Sequence, residues 1–264
     1  MKHLFVICAY KESPYLGDCI ASLENQAEKS DIILCTATPS PYLEKITAEH
    51  GIPYVVHENA KPDIAGDWNF ALETCKKMGA DYATIAHQDD LYLPEYGKRF
   101  RQAAEKHDDI LIYFTDYGEQ RGEEAVTVTR NLKIKRLLLW RMKLPALQTS
   151  RHARHRTLAL GDPISCPTVT YNLNRLPLPL FESGMTTNLD WQTWEKLSRL
   201  EGRFCFDGEV GMLHRIHAES TTSKVIASTG RTEQDYAMYR KFWPAPVARL
   251  LTRMYAGSEK SNNV

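Results

Sequence analysis

The stretch YATIAHQDDLYLP (residues 82–94) joins a short apolar run to two adjacent aspartates with a histidine and a glutamine just before them. Tyr82 to Ala86 reads as a buried strand, so His87, Gln88, Asp89 and Asp90 fall at its carboxyl end. Neighbouring carboxylates repel, and holding them side by side favours a site in which a divalent cation or a hydrogen-bonding polyol shares them. The same Asp-Asp pair also opens ordinary loops and can cap a following helix. Pro94-Glu95-Tyr96 starts such a helix, which should run to about Lys106 with Pro at a favoured first-turn position. Both readings of the pair stand on the local string.

Upstream, strand-like and helix-like periods alternate. Leu4 to Ala9 is an apolar run, Leu16 to Gln26 has helical spacing, and Asp31 to Cys35 is a second run. Pro41 to His50 reads as a helix, Tyr54 to His57 as a strand and Asp67 to Lys77 as a helix. This βαβαβαβ rhythm predicts an α/β fold with a mostly parallel sheet flanked by helices. Ligands of such sheets sit beyond the carboxyl ends of the strands, which gathers Ala9 to Glu12, Thr36 to Thr38 and His87 to Asp90 along one edge. Neither a Gly-x-Gly-x-x-Gly turn nor a P-loop motif occurs, so a glycine nest for phosphate is excluded.

The 264 residues are 43% hydrophobic and 25% charged with zero net charge, the composition of an ordinary globular protein with no global bias toward nucleic acid. No run of about 18 apolar residues is present to span a bilayer, and the N-terminus lacks a cleavage pattern, which together imply a cytoplasmic protein. Six scattered cysteines without a Cys-x-x-Cys pair read as reduced core residues. Downstream, Ile110 to Asp116, Thr168 to Tyr171 and Phe204 to Phe206 look like further strands. From Arg130 to Arg156 there are nine Lys or Arg and no Asp or Glu. Such a run is either a solvated face or, with the amphipathic segment Tyr239 to Tyr255, a dock for an anionic membrane or an acidic acceptor.

Two more segments carry chemistry. His214-Arg215-Ile216-His217 offers imidazoles from an extended segment, and imidazole with carboxylate is a competent ligand set for Mn²⁺ or Mg²⁺. Asp190 opens the helical stretch Trp191 to Leu200. Asn188 or Asp190 can serve there simply as an N-cap, or Asp190 can act as a general base, since a carboxylate at a helix N-terminus stays ionised at neutral pH.

Five segments, in order, resemble the family 2 glycosyltransferases of the GT-A fold: ICAYKESPYLGDCIASL (7–23), GDWNFALE (66–73), AHQDDLYLPEY (86–96), NLDWQTW (188–194) and HRIHAESTTS (214–223). The resemblance implies a single GT-A domain with a helical basic and C-terminal extension. Residues 1–115 would form the nucleotide-sugar half, 116–225 the acceptor half with the basic segment 130–156, 226–256 the helical extension, and 257–264 a disordered tail. It implies nucleotide contacts from Ala9, Tyr10, Glu12, Thr36, Asp67, Asn69, His87, Gln88 and Asp89. It further implies a Mn²⁺ or Mg²⁺ site at Asp89, Asp90 and His217, with Asp190 as catalytic base.

Two departures stand out. His87 replaces the aspartate that often opens the metal motif, and Thr36-Ala37-Thr38 replaces the acidic loop that usually recognises uracil. The activity implied is inverting transfer from a nucleotide-diphosphate sugar, a UDP-sugar foremost, to a glycan or lipid-linked hydroxyl in surface polysaccharide or glycoconjugate synthesis. The site would lie at the inner face of a membrane. A non-catalytic GT-A-like module binding an anionic membrane or acidic polymer is the alternative. A phosphohydrolase or nucleotidyltransferase would need further clustered carboxylates.

Overall fold

The computed structural model describes residues 1–58, 63–217 and 230–260. Strand β1 (His3–Ala9) lies at the centre of the amino-terminal half, paired in parallel with β2 (Asp31–Thr36) on one side and β4 (Tyr82–His87) on the other. Beyond β2 runs the short parallel strand β3 (Tyr54–Val56). Leu4, Phe5, Val6 and Ile7 are fully buried because helices cover both faces of the sheet, which is why this run is apolar without alternation. One face packs on α1 (Leu16–Glu24), α2 (Pro41–Glu49) and α4 (Tyr96–Lys106), and the other on α3 (Ile64–Lys77) and α8 (Leu189–Ser198).

Helix starts follow their caps. Ser40 accepts a hydrogen bond from the Leu43 amide ahead of Pro41, and Asp63 caps α3, which therefore begins three residues before the expected Asp67. Helix α4 has Glu95 at its N-cap with no side-chain bond, so neither Asp89 nor Asp90 caps it.

The sheet continues through β5 (Leu91–Tyr92), β6 (Ile110–Arg121), β7 (Glu124–Val126), β8 (Val169–Asn172) and β9 (Arg203–Ile216). Its order is β3-β2-β1-β4-β8-β6-β9-β5, with β7 paired to β6. Strands β8, β5 and β7 run against the others, so the sheet is mixed but mostly parallel, as expected. Strands β6 and β9 are much longer than their apolar cores foretell. They pair along their whole length, past irregularities near Thr115 and Asp116, and their polar distal halves are held by each other.

The basic segment folds as α5 (Arg130–Leu138), a 3-10 turn (Leu139–Lys143), α6 (Pro145–Gln148) and α7 (Arg151–Thr157). Helices α9 (Gly230–Phe242) and α10 (Ala245–Lys260) form a modest extension on α8, with Tyr239 edge-on to Trp191 at 5.1 Å. Residues 257–260 thus belong to a helix, and 261–264 lie outside the described residues, as do Ala218 to Ser223 of the last matching segment. All six cysteines are unpaired, five of them buried. Among the described residues no helix is long and apolar enough to cross a membrane.

Candidate active site

Parallel pairing of β1 with β2 and β4 brings three loops to one carboxyl edge, and hydrogen bonds tie them together. Gln88 grips the Tyr10 backbone twice, accepting from its amide at 3.2 Å and donating to its carbonyl at 2.9 Å. The Thr38 hydroxyl accepts from the Lys11 amide at 2.6 Å, and Thr36 Oγ1 accepts from the Thr38 amide at 3.0 Å. Lys11 sits in the left-handed region at φ 57°, a conformation this grip supports. Tyr10 is more than half exposed at the lip of the crevice, Glu12 is exposed beside it, and Ala9 and Thr36 are buried in its floor.

The aspartate pair is built by a strand pairing that the local sequence does not announce. Strand β5 follows directly on Asp90 and lies antiparallel to β9, with Leu91 opposite Leu213. That register sets Asp90 Oδ1 2.9 Å from His214 Nδ1 and 2.9 Å from the Arg215 amide, which donates to it. One step on, His217 Nε2 lies 2.8 Å from Asp89 Oδ2. Arg215 donates from Nε to the Asp89 carbonyl and from Nη2 to Asp18 in α1, while its guanidinium lies 4.4 Å over the Tyr15 ring.

Burial, the largest influence on Asp90, would raise its pKa, but His214, His87 and the Arg215 amide together hold it below the usual value. His214 is moved oppositely: burial pushes it down, and the Asp90 charge and hydrogen bond, with Asp89, carry it above an ordinary imidazole.

One oxygen is left over. Asp90 has no solvent exposure, yet its Oδ2 accepts no hydrogen bond and faces His87 Nδ1 at 3.8 Å. His87, Asp89 and Asp90 each offer a ligand atom, all within 4.8 Å of one another. A desolvated carboxylate oxygen without a partner costs about 1–3 kcal/mol or more, and a cation removes that penalty. The donor set of one imidazole and two carboxylates fits Mn²⁺ or Mg²⁺. His217 joins the cluster through Asp89. The indole of Trp68 stacks on His87 at 5.4 Å, fixing its ring.

Asp67 and Asn69, the other residues expected at the nucleotide, are both engaged. Asp67 pairs with His57 at 2.9 Å. Asn69 accepts from the Leu180 and Phe181 amides and donates to the Phe181 carbonyl, so its amide anchors the loop ahead of α8.

At the other end of the crevice, Asp190 occupies the first turn of α8 and accepts from the Trp191 amide at 2.9 Å. Asn188 holds the N-cap position, but its side chain donates to Asp235 in α9 instead. Burial raises Asp190 above a free carboxyl, against the pull of the helix N-terminus and the Trp191 amide. Beside it stands a partner the sequence did not reveal, whose hydrogen bond opposes that rise. Asp162, in the turn after α7, is hydrogen-bonded to Asp190 and pushed well up by burial and by the Asp190 charge. Lys135 of α5 stands by both. Burial alone would lower it, but Tyr117 and Asp162 keep it raised and charged. Burial raises the Cys166 thiol, and the charges of Asp190, Asp162 and Asp90 add to the rise.

Asp162, Lys135, Arg215, Asp18 and Trp68 join the candidate site beyond the residues read from sequence, and His214, read there only as one imidazole of its segment, is the partner of Asp90. His214 and Trp68 lay inside matching segments, where an unusual aromatic or imidazole beside a site residue is a usable signal. Asp162 and Lys135 carry no local pattern.

A parallel 3-2-1-4 sheet with an acidic cluster at its carboxyl edge and a carboxylate-opened helix facing it defines the GT-A class of fold. The family described as Glycosyl transferase family 2 matches residues 4–163, and the chain belongs to it and is a glycosyltransferase. No curated protein matches it in sequence.

Among solved structures, S. aureus TarS in complex with UDP-GlcNAc is similar over 96% of this chain and 70% of its own, at 13% identity and TM-score 0.66. The Pyrobaculum calidifontis mannosyltransferase PcManGT with GDP-Man and Mn²⁺ matches over 97% and 69%, at 14% identity and TM-score 0.62. Glucosyl-3-phosphoglycerate synthase of Mycobacterium tuberculosis, with Mn²⁺, UDP and phosphoglyceric acid, matches over 82% and 71%, at 13% identity and TM-score 0.54. At these identities the likeness is one of fold.

Proposed function

We propose that the protein transfers a hexose from a nucleotide-diphosphate sugar to a hydroxyl of a glycan or lipid-linked acceptor, with inversion, in surface polysaccharide or glycoconjugate synthesis. The observation that carries this reading is the unpartnered, fully buried Asp90 Oδ2 within the His87, Asp89 and Asp90 cluster. Residues 1–115 form the nucleotide-sugar half and 116–225 the acceptor half, with 226–256 as a helical extension. The protein works in the cytoplasm, peripheral to the inner face of the membrane.

Ala9, Tyr10, Glu12 and Thr36 line the nucleobase end, with Gln88 fixing the Tyr10 loop. Asp67 and Asn69 support the donor pocket from α3 through His57 and the 180–181 backbone. Asp89 takes the ribose or shares the cation, and His217, bound to Asp89, faces the diphosphate. A Mn²⁺ or Mg²⁺ bound at His87, Asp89 and Asp90 supplies positive charge against the leaving nucleotide diphosphate.

Asp190 takes the proton of the acceptor hydroxyl on the opposite face of the sugar, so the acceptor oxygen displaces the nucleotide in a single inverting step. Asp162 keeps its own proton and, by donating to Asp190, holds that carboxylate ionised and aimed. UDP-sugars are the first candidates because TarS and the mycobacterial synthase carry uridine nucleotides on this fold. PcManGT carries GDP-Man, so the Thr36 to Thr38 loop is what decides the base.

The test is a panel of UDP-, GDP- and other nucleotide-sugars with Mn²⁺ or Mg²⁺, read by thermal shift and by donor hydrolysis. Saturation at about 100 times Kd stabilises by roughly 2.7 kcal/mol, a shift of several degrees. Asp90→Ala abolishes the metal-dependent part of that shift. No shift with any donor, or an unchanged metal requirement in Asp90→Ala, overturns the reading.

A further inference from the structure

The nine basic residues of segment 130–156 do not act as one surface. Arg154 is fully buried, donating to the Gly202 and Leu200 carbonyls, Arg136 is paired with Asp116 at 2.6 Å, and Lys135 faces Asp162. The other six, Arg130, Lys133, Arg141, Lys143, Arg151 and Arg156, stay at the surface. They do not stand alone there.

Thirteen large apolar side chains are exposed among the described residues, and nine of them fall in two short stretches, 128–160 and 247–254. On α5 and the 3-10 turn the exposed positions follow helical spacing: Arg130, Lys133 with Ile134, Leu137, then Trp140. Leu137 is 68% exposed, and the Arg141 guanidinium lies 4.5 Å over the outward indole of Trp140. On α10 the spacing recurs. Val247, Leu250 and Met254 face outward with Arg249 and Arg253 beside them, while Ala248 and Thr252 are buried on the inner side.

The two helices come together beside Gly161 through half-buried side chains next to these stripes. A Cβ there would lie 3.5 Å from the Tyr255 ring of α10 and 3.7 Å from Leu138 of α5, and exposed Leu160 stands next to it.

We propose that this face of α5, the 3-10 turn and α10 docks on an anionic lipid surface. Exposed Leu, Met and Trp flanked by Lys and Arg is the chemistry of an interfacial helix, whose apolar side enters the headgroup boundary while cations meet lipid phosphates. Charge complementarity is one-sided: residues 125–161 and 245–257 contain no Asp or Glu. A polyanion without an apolar phase would leave Leu137, Leu250 and Met254 in water, which disfavours an acidic polymer.

Docking also has a consequence for the site, which rests on the glycosyl-transfer reading. The inner side of α5 delivers Lys135 to Asp162 and Asp190, so the docked face is one helix away from the base. An acceptor hydroxyl carried on a lipid is thereby brought to Asp190.

Vesicle flotation of the full chain at low salt tests this, comparing pure phosphatidylcholine with phosphatidylcholine containing phosphatidylglycerol. Binding is expected only with the anionic lipid. Leu137→Ser with Leu250→Ser, both exposed and so compatible with folding, lowers partitioning about tenfold or more. Replacing Arg130, Lys133 and Lys143 by Glu lowers it by about fivefold or more per residue. Brominated lipid quenches Trp140, with Trp140→Phe as the control.

Absence of flotation at low salt overturns the proposal. So does binding that needs the cations but ignores the apolar pair, which marks an acidic polymer site, or a dimer in solution that the apolar pair dissolves. Donor hydrolysis measured without vesicles is unchanged in all these variants, so failure of docking and failure of the proposed chemistry are read separately.

Discussion

At the scale of single residues the site turns on who holds one proton. In the proposed reaction Asp190 must be ionised to accept the acceptor proton, so kcat is expected to fall as pH drops through its pKa. Burial raises that pKa, which places the acid limb above the ordinary carboxylate value of about 3.9. Asp162 opposes the rise by donating to Asp190. Asp162→Ala removes the donor and moves the acid limb of kcat upward by about one pH unit, whereas Asp162→Asn keeps an amide donor and leaves the limb near its original place. A limb that stays put in Asp162→Ala sinks the pairing. Asp190→Asn lowers transfer by about 10²–10⁴-fold, roughly 3–5 kcal/mol of barrier, while donor binding by thermal shift persists; near-normal turnover removes Asp190 from the chemistry. Asp89, Asp90, His217 and Asp190 were legible in the sequence because each sits in a short stretch whose neighbours announce a strand end or a helix start. Asp162 and Lys135 were not, since their partners lie far along the chain and no local spacing encodes the meeting.

At the scale of elements, legibility follows burial. Strands β1 and β4 and the inner part of β2 declare themselves because both faces are covered and most positions are apolar, while β3 is short and half-buried. The outer halves of β6 and β9 mix polar residues and glycines with apolar ones, and pairing with each other and with β7 and β5 makes them strands, so the expected lengths fell short. That extra length matters, because the end of β9 carries His214 to the Asp90 at the start of β5. The basic run shows the opposite failure, in which nine like charges look uniform in sequence while the fold gives them different tasks. Arg154 bridges the end of α8 to β9 through two carbonyls and lies 5.0 Å over the Phe204 ring. Arg154→Met leaves both carbonyls unpaired in the interior and lowers stability by about 2–4 kcal/mol in denaturant unfolding. Lys143→Met, on the exposed side of the same segment, changes it by about 0.5 kcal/mol or less. Equal midpoints for the two variants would return Arg154 to the solvated face.

At the scale of the whole molecule, the question is whether α9 and α10 are an appendage or part of the domain. The sequence set them apart as an extension from residue 226, and the sheet is complete without them. Their contacts say otherwise. Met238, Tyr239 and Ala248 are buried, and the Trp191 ring beside Asp190 packs against Tyr239 at 5.1 Å, Phe242 at 6.1 Å and Tyr255 at 6.4 Å. Polar clasps reinforce this. Asp235 accepts from Asn188 at 2.7 Å, and Gln234 accepts from the Thr186 and Thr187 amides at 3.0 Å, so α9 fixes the turn that aims Asp190. Ending the chain at residue 225 therefore uncovers Trp191 and removes three large side chains from its surroundings, each contributing about 1.5–3 kcal/mol of burial. The sum is comparable to the whole stability of a domain this size. The shortened chain should lose its cooperative thermal transition and bind a dye for exposed apolar surface, as a protein with secondary structure but no fixed packing does. A sharp transition at the full-length temperature would show instead that the extension is dispensable to the fold, and that Asp190 is aimed by α8 alone.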